Sequence, residues 1–292
     1  MKELKTMYDI MIYLLLCISV ICKFNVIFYG FDFSEEMKTS TMTAFEILER
    51  YINTSYFINV GILQGDLDSS FSYAQGAPSY NCNSYYNNYS VIIPPSLFIL
   101  SNDGIGCIGG TSNFHMTIKI NRNPPKPFYF NSDKNVPYGF IDFISVILHE
   151  SMHGLGFYSG FTQSDGYYIY SPNILIYDLF IFSEILHFPL NKYPLKDVSV
   201  LIKGPLFFKT KDDPSVSSQV YTPSTFNPGS SISHTFQTTL MYYKISSGYA
   251  SHCLSNDCII FLKNVGYPVG NNMPPCFDVI SSSEKVGHFL LY

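Results

Sequence analysis

The segment Phe140–Gly156, FIDFISVILHESMHGLG, constrains this chain more than any other. Phe140, Ile141, Ile144, Ile147, Leu148, Met152 and Leu155 fall at helical spacing on a broad apolar face, and Gly154 with Gly156 supplies a stop signal. A helix this apolar belongs in a core, yet it carries His149, Glu150 and His153. Residues four apart share a helix face. H-E-x-x-H on a helix is the order in which two histidines bind zinc and the glutamate between them acts as a general base. The plainer reading is a pair of hydrogen-bonded core histidines. A catalytic zinc also needs a third protein ligand, and the helix does not contain one.

The rest of the chain sets the frame. With 292 residues, 47% hydrophobic and 13% charged, it can bury a sizeable core. A net charge of -5 with no basic run argues against nucleic acid as a partner. Lys2 and Lys5 precede the apolar run Ile10–Cys22, which Lys23 ends; its length suits the core of an export signal and is short for a membrane span. Residues 1–23 are therefore expected to direct secretion, cleaved or retained as an anchor, and a membrane is a partner only if they are retained. Residues 30–270 form the expected globular unit, and 271–292 a tail of unassigned role.

An ordered α+β pattern runs through that unit. Ser34 opens a helix carrying Phe45, Leu48 and Ile52, and YFINVGIL follows as a strand. Gln64 to Gly110 is rich in Asn, Ser, Tyr, Pro and Gly and reads as long surface loops, held by Cys82 and Cys107. In FHMTIKIN, Phe114, Met116, Ile118 and Ile120 alternate with polar residues, a half-buried strand expected at the rim of a cleft. Export would favour disulfides: Cys82 with Cys107 and Cys253 with Cys258 are the closest pairs in sequence, the second of which could instead bind a metal, although no further cysteine pair completes a structural site. Asn53 and Asn88 stand in glycan-acceptor sequons.

HESMHGLGF resembles the zinc signature of the metzincin metallopeptidases, H-E-x-x-H-x-x-G-x-x-H, with His149, Glu150, His153 and Gly156 in register and Ser159 where the third histidine would stand. It is similar to the leishmanolysin-related group, in which that histidine is displaced downstream by an insertion and followed by the methionine of a Met-turn. GSSISHTFQTTLMYY offers His234 and then Met241, and TIKINRN, FYFNSD, YDLF and LKNVGYPV add weaker likenesses over roughly residues 40–270. The resemblance implies a zincin-like α+β fold: a mixed twisted sheet, a metal-bearing helix over a cleft, and a C-terminal lobe bearing the third ligand.

It further implies one catalytic zinc on His149, His153 and His234, Glu150 as general base, Met241 in a structural turn, and peptide-bond hydrolysis in an extracellular protein or peptide. Tyr243 stands where astacins and serralysins carry a transition-state tyrosine. Of the other histidines, His115, His187, His252 and His288 have no Met-turn behind them. Glu184 is the alternative third ligand, giving a two-His-one-Glu set. The alternative function is a surface or matrix binding protein that keeps the fold without catalysis.

Overall fold

The computed structural model describes residues 24–30, 32–67, 72–108, 110, 112–164, 167–170, 174–184, 188–189, 204–210, 217–227, 229–270, 276, 279–280 and 288–290. The expected export segment, His187 and most of the tail lie outside the described residues. Among the described residues, no helix is long and apolar enough to cross a membrane.

The chain is a mixed α+β structure with several sheets. Strand β1 (Phe24–Phe28) leads to helix α1 (Glu35–Glu49), whose N-cap Ser34 accepts a hydrogen bond from the Met37 N–H and so satisfies a donor that the first turn cannot. Strands β2 (Ile58–Gly65) and β3 (Ala74–Pro78) follow, then the hairpin β4 (Cys82–Tyr86) and β5 (Tyr89–Ile93). Its turn places Asn87 and Asn88 at φ +46° and +67°, the paired left-handed residues that two-residue hairpin loops require. Helix α2 (Pro95–Ser101) precedes β6 (Met116–Asn121).

The main sheet has the order β1-β2-β6-β3. Its first three strands are parallel and β3 runs antiparallel at the end. Met116, Ile118 and Ile120 of β6 are fully buried beside Val60 and Ile62 of β2. Helix α3 (Phe143–Gly154) packs on β3 and β6 with α1 alongside. Asp142 caps α3 by accepting from the Ser145 N–H at 2.7 Å and is itself held by His252 at 2.9 Å. Burial of Ile144, Ile147, Leu148 and Met152 contributes roughly 1.5–3 kcal/mol each, which offsets the cost of carrying polar side chains on a helix that is buried all round.

Three expectations are corrected. The stretch 64–110 is not mainly loop: it holds β3, the β4–β5 hairpin and α2. Strand β6 is not a rim, because β2 occupies one of its edges and β3 the other. The edge that borders the cleft described below belongs to β3. Cys82 does pair with Cys107, but Cys253 pairs with Cys276. Cys258 sits in the first turns of helix α4 (Asn256–Val265), which carries its thiol into the core, outside both disulfides and 3.4 Å from Ser255 Oγ.

The register fixes how β3 meets its surroundings. The Asn121 N–H donates to the Tyr73 carbonyl and the Ser79 N–H to the His115 carbonyl, so odd-numbered residues of this strand bond to β6. Ala74, Gly76 and Pro78 therefore turn their backbone groups to the edge away from β6. Proline is tolerated there because an edge needs no donor at every position.

Candidate metal centre

Helix α3 presents His149 and His153 one turn apart, and the chain then leaves sharply. Gly156 takes φ +102°, a left-handed conformation that closes the helix with bonds from the Gly156 N–H to the His153 carbonyl and from the Phe157 N–H to the Met152 carbonyl. The turn brings the Phe157 carbonyl back over the helix end, where it accepts from His153 Nδ1 at 2.7 Å.

His234 arrives from a segment with little regular structure. Its backbone is fixed by pairing: the Tyr221 N–H donates to the His234 carbonyl, the Ile232 N–H to the Tyr221 carbonyl and the Phe236 N–H to the Gln219 carbonyl. Beyond it the chain folds back through a bond from the Thr235 N–H to the Met241 carbonyl. Thr235 Oγ1 and Thr239 Oγ1 lie 2.9 Å apart, and the latter donates to Asp257 Oδ2 at 3.0 Å. Met241 is fully buried in this turn, and the Leu240 carbonyl just before it accepts from His149 Nδ1 at 2.7 Å. The Ser230 carbonyl accepts from His234 Nδ1 at 2.9 Å.

These three carbonyls decide the chemistry of the rings. A carbonyl only accepts, so each Nδ1 carries the proton and each neutral Nε2 presents a lone pair. The Nε2 atoms stand 3.1 Å (His149–His153), 3.2 Å (His149–His234) and 3.3 Å (His153–His234) apart. With no proton available between them, these are not hydrogen bonds but three lone pairs converging on one point. Burial holds the histidines in the neutral form, with neighbouring rings adding to it at His149 and His234: His149 lies well below its ordinary pKa, His153 is pushed down to about 4 and His234 to about 3.

A tetrahedral ion with nitrogens at about 2.0–2.1 Å separates them by about 3.3–3.4 Å, close to the observed triangle. The donor set thus fits a divalent cation, with each ring's other nitrogen tied to a carbonyl as metal-binding histidines require. Among the described residues no other group of histidine, cysteine or acidic side chains converges in this way.

Glu150 stands beside the cluster, 1% exposed. Its Oε2 accepts from the Gly76 N–H at 2.6 Å, while Oε1 has no partner. Burial raises its pKa to about 8, against which the Gly76 bond acts. Glu150 and His153 line a cleft of about 340 Å³ bounded by Gln75, Gly76, Ala77 and Pro78 of β3 on one side and by Tyr158, Ser159, Phe161, Gly229, Ser231 and Ser233 on the other.

The remaining expected residues fall elsewhere. Ser159 points its hydroxyl at Asp178, 2.6 Å away, and takes no part in the cluster. Glu184 is exposed at the end of the strand Ile181–Ser183. Tyr243 stacks on Tyr221 with centroids 3.6 Å apart. His115 Nδ1 accepts from the Asn59 N–H, and His252 serves Asp142. Sequence reasoning missed Gly76 and Tyr158; only the glycine, inside an otherwise ordinary segment, carried a signal, that of a close backbone approach.

Comparison with models of known protein families, with characterised proteins and with solved structures finds no match for this chain.

Proposed function

We propose that the chain is a zinc-dependent endopeptidase that hydrolyses peptide bonds, with His149, His153 and His234 as the metal ligands and Glu150 as the general base. The observation that carries the reading is the convergence of three unprotonated ring nitrogens beside a carboxylate oxygen that has no partner of its own. Three imidazoles at tetrahedral spacing suit zinc among the common ions. A structural site would have no use for the glutamate.

Zinc bound there supplies a Lewis acid for the scissile carbonyl and brings the pKa of water towards neutrality. The protein contributes the rest. Glu150 takes the proton of the attacking water at Oε1 and delivers it to the departing amine. The cleft edge of β3 takes an extended peptide by strand addition, in place of the β6 rim that the sequence suggested. The fold is read as zincin-like on the same grounds, and the protein as secreted, or held at the cell surface where residues 1–23 are retained.

Digestion of casein or gelatin, with and without a chelator, tests the proposal. Glu150→Gln keeps size and polarity and should retain zinc and fold while lowering kcat by at least about 100-fold. Zinc binding without turnover over a broad peptide library would instead mark a binding protein that keeps the fold.

A further inference from the structure

We infer that Gly76 is the positioning residue of Glu150: its backbone N–H pins one carboxylate oxygen, so that the other is presented to the cleft. The inference rests on the proposed role of Glu150. Two independent features meet at this glycine. By the register of β3, residue 76 turns its N–H away from β6 and towards the cleft edge, where Glu150 Oε2 lies 2.6 Å away. On the sheet face of the same residue, a Cβ would overlap the backbone carbonyl of Glu150. Strand and helix therefore touch through Glu150 twice, once at its main chain and once at its carboxylate, and only glycine lets both contacts form.

The pinning has a chemical result. A glutamate side chain has several rotamers, and a base must be aimed before it acts. With Oε2 held at the strand edge, the carboxylate plane is set; Oε1 is buried and has no hydrogen-bond partner, and Glu150 lines the cleft together with His153.

Gly76→Ala would disturb helix packing as well as the bond, so the decisive variant replaces the Gln75–Gly76 amide with an ester by incorporating glycolic acid at position 76. It removes the N–H and adds no atom to the helix side. In the zinc-loaded protein the ester should lower kcat at least tenfold with KM within twofold of the unaltered protein; a rise in KM at unchanged kcat would assign the N–H to the substrate and overturn the inference. A second measurement needs no turnover. Exchange of the Gly76 amide proton should be at least tenfold faster in zinc-loaded Glu150→Ala than in the unaltered zinc-loaded protein, and equal rates would overturn the pinning. If the unaltered protein binds zinc but cleaves no peptide, the proposed activity fails by itself, and the exchange rates still decide whether Gly76 holds Glu150.

Discussion

Helix α3 and the segment 229–242 deliver histidines to one point by different means. The helix spaces His149 and His153 by its own hydrogen-bond ladder and is anchored by apolar burial on all sides. The segment holds His234 through single bonds to several neighbours: Tyr221, Gln219, Asp257 and the Ser230 carbonyl. A helix places ligands by repetition, whereas the loop places one by accumulation. The two are also interlocked, because the carbonyl that orients His149 of the helix belongs to Leu240 of the loop.

That difference can be broken most severely at the ligands. His234→Ala and His153→Ala should each abolish peptidase activity and weaken zinc binding by several orders of magnitude, measured by metal titration, since two imidazoles leave the tetrahedral set incomplete. A His234→Ala protein that kept native affinity would sink the proposed ligand set. A second effect, smaller but diagnostic, is expected when a chelator removes metal: amide protection across 229–242 should fall at least tenfold while that of 146–152 stays near its loaded value, because the loop has fewer buried apolar anchors. Equal loosening of both would mean that the helix depends on metal as much as the loop does.

Thr239→Val tests the accumulation directly. It removes the link to Asp257 without changing size much, and should lower zinc affinity about tenfold, the low end for a residue behind a ligand, at a stability cost of about 1 kcal/mol. Calorimetric titration and thermal unfolding read the two quantities. The smallest effects are expected at the residues that the structure sets apart. Tyr243→Phe and Glu184→Gln should leave kcat and zinc affinity within twofold; a large loss at Glu184 would favour the two-His-one-Glu alternative.

Much of the helix was legible from its residues, because its period, its polar trio and its terminating glycines are local properties. The start of α1 and the presence of β2 were legible for the same reason, through the Ser34 cap and a run of apolar residues, although the helix stops at Glu49, short of Ile52, and the strand runs Ile58–Gly65, two residues later than YFINVGIL. His234 was found through the order of a resemblance rather than through any local period; its segment has none. Strand β3, AQGAP, was hidden because Gly and Pro ordinarily mark loops, whereas here the strand is an edge whose Pro sits where no bond to β6 is made and whose Gly is pressed on a helix. The partner of Cys253 was not legible either. Nearness in sequence favoured Cys258, but the start of α4 points that thiol into the core, and no local pattern tells which distant cysteine comes back to meet Cys253. Tyr243 shared a motif position with the expected tyrosine but found a stacking partner in Tyr221.

The outward rim of β3 has a polarity of its own. Of the backbone groups that face the cleft between Gly76 and Pro78, the Gly76 N–H is engaged by Glu150, and Pro78 has no N–H. What is left to a visiting chain is oxygen. A segment laid along this stretch must therefore bring the hydrogens itself, and a residue that has none, such as proline or an N-methylated amino acid, has nothing to offer the carbonyl opposite it. If the proposed strand addition holds, the rim would distinguish peptides by where their amide hydrogens fall, before any side chain has been read.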